Sequence, residues 1–151
     1  MIKAEDLRIG DLVIVNENCS LEQGTIGKVS EVRSTPLYKE NEGSIGLKPI
    51  SNDRWPWGVL CRNIDPIPLA PEIFNKNDFT EEVVGEYYTK PLDNETHPLE
   101  RYLAVELKRD NWAVFIKYRI FHDCTLLRKI QHVHELQHIL WALGENANLK
   151  I

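Results

Sequence analysis

Prolines at positions 66, 68 and 71 constrain this chain more than any other feature of its sequence. Pro66 and Pro68 fix their own φ angles, and each pushes the residue before it out of the helical region. Residues 65–71 are therefore expected to form a rigid, extended connector, and Pro71 suits the first turn of a short helix over 72–77. The chain is predicted to have three regions: residues 1–64, the connector and short helix at 65–79, and residues 80–151.

The first region contains short runs typical of β-strands. Residues 7–15, 25–33, 44–50 and 58–62 are separated by Gly, Pro, Asn and Asp, which favour turns. Several short strands within about 60 residues predict a small β-barrel. Residues 9–13 and 24–29 loosely resemble the start of SH3-like modules, including the KOW type. That resemblance implies binding of RNA or protein.

The third region combines a hairpin with a helix. Residues 102–108 and 112–120 alternate and are joined by turn-forming residues at 109–111. Asp123 or Thr125 is expected to cap a final helix of about 17 residues, which Gly144 would end. The predicted fold class is α+β: an N-terminal SH3-like small β-barrel, followed by a β-hairpin packed on a long C-terminal helix.

Composition excludes several classes of protein. The chain has 151 residues, a hydrophobic content of 42% and a formal net charge of −5. Residues 1–64 carry eight Lys or Arg against nine Asp or Glu, and residues 65–151 carry ten against fourteen. Neither half has the basic excess that nucleic-acid binding usually needs, which favours a protein or peptide partner. Acidic residues near the start, no membrane-length apolar run and three widely spaced cysteines predict a cytoplasmic protein.

Residues His134-Glu135-x-x-His138 have the spacing of a zinc hydrolase, with two histidine ligands and a glutamate as general base. Catalytic zinc needs a third protein ligand. Only 13 residues follow His138, so the third ligand would have to come from upstream, such as His97, His122 or Asp123. We therefore expect no metal and no cofactor, and retain a zinc-dependent hydrolase using His134, His138 and Glu135 as an alternative.

The same helix carries a family resemblance. The run Val133-His134-Glu135-Leu136-Gln137, together with Leu7-Arg8-Ile9-Gly10 and Pro66-Ile67-Pro68-Leu69, resembles a family of small uncharacterised proteins from gut anaerobes, their phages and integrated elements. That family usually has glutamine and asparagine in place of Glu135 and His138, which implies that it does not depend on zinc hydrolysis. His134 and Gln137 are shared with it. They either hydrogen-bond neighbouring backbone or line a small polar site.

Trp55 and Trp57 flank Pro56 in the first region. They either fill the core or form an aromatic platform for a proline-rich peptide or a stacked base. The function expected from the sequence is a non-catalytic binding or adaptor protein of phage or mobile-element origin, acting through these tryptophans on a protein or peptide. An RNA-binding barrel remains a further alternative.

Overall fold

The computed structural model describes residues 2–17, 19–33, 43–51, 55–92, 101–118 and 124–151. The chain divides into two compact units, Met1–Ile67 and Pro68–Ile151. In the described residues, antiparallel strands dominate both units, and the two α-helices are short. No helix among these residues is long and apolar enough to cross a membrane.

The first unit contains five strands in one antiparallel sheet. They are β1 (Leu12–Val15), β2 (Ile26–Arg33), β3 (Ser44–Pro49), β4 (Trp57–Leu60) and β5 (Ile64–Pro66), in the spatial order β4-β3-β2-β1-β5. Short 3-10 turns occur at Ala4–Asp6 and Cys61–Asn63. Only the second turn separates β4 from β5, although these strands lie at opposite ends of the order. The sheet must therefore curve strongly.

The core of the first unit lies on one face of this sheet. Its fully buried side chains are Val13, Val15, Val29, Ile45, Leu47 and Ile64. Gly27 on β2 makes room for one of them, because a Cβ atom there would lie 2.6 Å from Cγ of Leu47. β2 is bulged between Val29 and Glu31, a distortion that increases local twist and bends the strand.

The second unit contains a five-stranded antiparallel meander. Its strands are β6 (Thr80–Val83), β7 (Tyr87–Pro91), β8 (Arg101–Lys108), β9 (Asn111–Tyr118) and β10 (Cys124–Ile130), which pair in chain order. The helices are α1 (Pro71–Asn75) and α2 (Val133–Ala142). Pro71 opens α1, as the sequence predicts, and β8 and β9 form the predicted hairpin, with Arg109 at a φ of 59° in its turn.

The two faces of the second sheet differ in character. Phe74 of α1 packs against one face, with its ring centroid 4.7 Å from that of Tyr88 and 4.7 Å from that of Trp112. Neighbouring side chains alternate across a strand, so Tyr87 and Tyr102, which adjoin inward-facing Tyr88 and Leu103, lie on the opposite face. That second face is rich in aromatic and polar side chains.

The predicted fold class is wrong. The described strands of the first unit form an open sheet order, with no pairing between β4 and β5, and therefore no closed SH3-like barrel. The second unit is not a hairpin on a long helix but a full five-stranded sheet, because residues 80–83, 87–91 and 124–130 are strands. The molecule is mainly β in the part of the chain that the structure describes.

The C-terminal helix is also shorter than predicted. It spans ten residues, Val133–Ala142, and begins after the N-cap His132 rather than after Thr125 or Asp123. Thr125 lies in β10, and Asp123 lies outside the described residues. The helical spacing of apolar residues therefore applies only from Val133 onward. Gly144, with a φ of 78°, follows the helix end as expected.

Candidate functional site

Glu135, the central residue of the zinc-protease pattern, caps the start of α2. Its carboxylate accepts hydrogen bonds from the backbone N–H of Gln131 at 2.8 Å and of His132 at 3.1 Å. In return, the His132 side chain accepts the N–H of Glu135, which completes a capping box. The Arg128 guanidinium lies 3.3 Å from the other carboxylate oxygen. These contacts occupy the carboxylate at the helix terminus.

The pKa of Glu135 reflects this environment. Burial raises the pKa, but hydrogen bonds from the N–H groups of Gln131 and His132 and the electrostatic effects of His134 and Arg128 lower it. The net result is a pKa below the usual 4.5. A general base that works near neutral pH needs a raised carboxylate pKa, so the direction of this shift suits a cap and not a catalytic base.

The histidines of the pattern lie side by side along α2. His134 is buried, and its ring centroid lies 5.8 Å from that of His138 and 5.7 Å from that of His132. Within the described part of the chain, no three His, Cys, Asp or Glu side chains are grouped as metal ligands. The upstream ligand candidates His97, His122 and Asp123 lie outside the described residues.

Gln137, the other helix residue singled out in the sequence, holds the C-terminal segment. It is buried, and its side-chain amide donates to the backbone carbonyl of Ala147 at 2.9 Å. Asn77 forms a second attachment, because its side chain donates to the carbonyl of Lys150 at 2.8 Å and accepts from the N–H of Lys150 at 2.7 Å. Gln137 thus hydrogen-bonds backbone, the first of the two roles that the sequence left open.

The tryptophans of the first unit are accessible to different degrees. Trp55 is 89% exposed, and Trp57 is 41% exposed. Trp57 stands opposite Leu47 in the β3–β4 ladder, and Leu47 is fully buried, so Trp57 lies at the margin of the core. Ile50, which follows β3, is 54% exposed. Ile50, Trp55 and Trp57 flank the β3–β4 connection and are called the tryptophan surface below.

A pocket of about 450 Å³ lies on the second unit, between β6, β7 and β8. Its lining combines aromatic rings, hydroxyl groups and two charged side chains. The residues are Thr80, Glu82, Tyr87, Thr89, Pro91, Arg101 and Tyr102. Thr80 and Thr89 are direct neighbours in the β6–β7 ladder, and strand alternation brings Tyr87, Thr89 and Pro91 to the same face of the sheet.

Hydrogen bonds organise the pocket wall. Lys117 of β9 donates to the phenol oxygen of Tyr87 at 3.0 Å, and its ammonium lies 4.8 Å from the Tyr87 ring centroid. Thr89 donates its hydroxyl to Glu82 at 2.8 Å. These contacts hold Tyr87, Thr89 and Glu82 in defined positions around the pocket.

Two pKa values are shifted beside this pocket. Burial raises the pKa of Tyr102, and its hydrogen bond with Tyr87 adds to the increase. The hydrogen bond to Tyr87 raises the pKa of Lys117, although burial opposes it. Lys117 therefore remains protonated and Tyr102 remains a neutral phenol at physiological pH.

The pocket was not predicted from the sequence. Residues 80–98 have an ambiguous pattern, so Thr80, Glu82, Tyr87 and Thr89 were not placed on paired strands. The available signal was the two-residue spacing of Tyr87, Thr89 and Pro91, which indicates one face of a strand. That spacing alone does not show which strand lies beside it.

Comparison of the chain with protein-family models, curated proteins and solved structures finds no match.

Proposed function

We propose that this is a non-catalytic binding protein that engages a proline-rich, extended peptide segment of a partner through its tryptophan surface. The observation that carries the proposal is the 89% exposure of Trp55 beside a partly exposed Trp57. Exposed aromatic side chains that cluster with other apolar residues mark interaction surfaces.

The local chain geometry supports an extended peptide as the occupant. Pro56 fixes its own φ and favours an extended conformation at Trp55, while Trp57 begins β4. Two residues apart in an extended chain, Trp55 and Trp57 project to the same side, with Cα atoms about 6.5 Å apart. Two aromatic rings at this spacing can flank a proline ring, the geometry that recognises polyproline segments.

The fold holds Trp57 in position and leaves Trp55 exposed to solvent. Because Trp57 pairs with the buried Leu47, its backbone position is set by the core of the first unit. Most of the surface of the Trp55 side chain is exposed and can contact a partner. Pre-positioned aromatic side chains lose little conformational freedom on binding.

Charge and family resemblance support a protein partner. Residues 1–64 carry one more acidic than basic side chain, which disfavours contact with a phosphate backbone. The resemblance in the first and last segments of the chain to small proteins of phages and integrated elements supports an adaptor role in such an element, and this origin is part of the proposal.

The test is a titration of a fluorescently labelled polyproline peptide of about ten residues, followed by anisotropy. We expect at least a tenfold loss of affinity when Trp55 and Trp57 are both changed to alanine, because aromatic hot spots contribute about 2 kcal/mol or more. Trp141→Ala is the matched control, because Trp141 is 67% exposed and lies in the second unit.

Two results would contradict the proposal. One is equal peptide affinity in the double variant and the wild type. The other is that the wild-type protein ignores the peptide but binds single-stranded oligouridylate with affinity that falls steeply as salt rises, which would support an RNA-binding module.

A further inference from the structure

We infer that the pocket of the second unit binds a small molecule that carries an anionic oxygen group, a carboxylate or a phosphate, on a flat apolar body. Every residue that lines this pocket belongs to the second unit, whereas the tryptophan surface belongs to the first. The inference starts from Arg101, a lining residue of the pocket at the start of β8.

The Nε atom of Arg101 is buried and has no hydrogen-bond partner among the described residues. A buried charged donor without an acceptor is costly, whereas a carboxylate or phosphate forms strong, often bidentate hydrogen bonds with a guanidinium. An anion in the pocket would therefore supply the negatively charged acceptor that the Nε atom of Arg101 lacks among the described residues.

The charged groups of the pocket lining are one cation, Arg101, and one anion, Glu82. Glu82 already accepts the Thr89 hydroxyl, whereas the buried Nε atom of Arg101 has no hydrogen-bond partner among the described residues. Lys117, which is not a lining residue, donates to Tyr87. The charged lining group that still lacks a partner is therefore the cation, and this favours an anionic ligand.

The remaining walls define the body of the ligand. Tyr87, Tyr102 and Pro91 offer flat apolar surfaces, and the hydroxyls of Thr80 and Thr89 offer hydrogen bonds. A pocket of about 450 Å³ is larger than an inorganic anion needs and lies in the range of small-molecule sites. A ring-sized organic acid or phosphate monoester fits this combination of walls and charge.

Three probes test the inference: benzoate, phenyl phosphate and the neutral benzamide, each titrated into ¹⁵N-labelled protein at constant ionic strength. We expect the two anions to shift the amide resonances of Thr80, Thr89 and Tyr102 with a dissociation constant of about 1 mM or tighter. Benzamide should bind at least tenfold more weakly. The tighter of the two anions identifies the carboxylate or the phosphate as the preferred group.

Arg101→Gln removes the charge and should weaken the anions at least tenfold, while benzamide is unaffected. Arg62→Gln, which removes the same charge from the first unit, is the control and should bind like the wild type. A dispersed amide spectrum verifies that each variant is folded. The inference is overturned if none of the probes shifts these resonances, if benzamide binds as tightly as the anions, or if folded Arg101→Gln retains full affinity.

Discussion

Glu135 and His132 form two reciprocal hydrogen bonds at the start of α2. The carboxylate of Glu135 accepts the backbone N–H of His132 at 3.1 Å, and the imidazole of His132 accepts the N–H of Glu135. This pair accounts for the presence of glutamate in the His-Glu-x-x-His pattern. Backbone N–H groups in the first turn have no partner within the helix, and a capping box satisfies two of them. Helix capping thus gives Glu135 a structural role within the zinc-hydrolase spacing.

Replacing Glu135 with alanine should destabilise the second unit. The variant leaves the N–H groups of Gln131 and His132 without their acceptor, and the loss of a helix cap costs about 1 kcal/mol. Urea unfolding measures the change. Glu145→Ala is the control, because Glu145 follows the end of α2, where a negative charge opposes the helix dipole and its removal is neutral or slightly stabilising. Equal losses in both variants would refute the capping role.

The stability that Glu135 contributes should depend on pH. Its pKa in the folded protein lies below 4.5, so the ionised carboxylate stabilises the fold above pH 4.5, and this contribution disappears as pH falls through the lower, folded-state value. Urea midpoints of the wild type and Glu135→Gln should therefore differ at pH 6 and converge toward pH 3. A difference that grows as the solution is acidified would show that the pKa is shifted the other way.

Gly27→Ala should destabilise the first unit by about 1–3 kcal/mol, because the new methyl group would overlap the buried Leu47 side chain and force the core to shift. Gly58→Ala is the matched control on β4, where a Cβ atom meets nothing within 4 Å. That variant should stay within about 0.5 kcal/mol of the wild type. Thermal or urea unfolding compares them, and equal stability of the two variants would mean that the Gly27–Leu47 packing is incorrect.

Protein purified without chelator should contain far less than one zinc per chain by elemental analysis. The carboxylate of Glu135 is engaged at the helix terminus, and the described residues provide no group of three metal ligands. His138→Ala should leave the metal content unchanged. One equivalent of zinc in the wild type that disappears in His138→Ala would instead support the hydrolase alternative.

The sequence predicts some elements of the fold for clear physical reasons. The β8–β9 hairpin has alternating runs on both sides of residues 109 and 110, and Arg109 takes the positive φ that such a turn needs. The extended segment at Pro66 and the start of α1 at Pro71 follow from the fixed φ of proline. These features are local, so neighbouring residues determine them.

Other elements depend on distant partners, and the sequence misplaces them. Leu126, Ile130 and Val133 have helical spacing, yet the first two lie in the seven-residue strand β10, which pairs with β9 at the sheet edge. Most of β10 is exposed, so it lacks the alternation that marks a half-buried strand. The sequence does not indicate where α2 starts, because histidine is not a usual N-cap residue.

The same distinction between local features and features that depend on distant residues applies to the candidate sites. The sequence suggests Trp55 and Trp57 as a candidate site because residue type and the intervening proline are visible in it. It does not suggest the pocket, since Thr80, Tyr87 and Tyr102 meet only through the register of β6, β7 and β8. Register of this kind depends on long-range pairing and is not encoded within one segment.

The most direct test of the proposed function uses the indole N–H resonances of the four tryptophans during titration with the polyproline peptide. We predict that the resonances of Trp55 and Trp57 shift together and saturate, while those of the buried Trp112 and of the exposed Trp141 stay in place. A titration in which Trp55 and Trp57 do not move, or in which Trp141 moves as much as they do, would contradict peptide binding at the tryptophan surface.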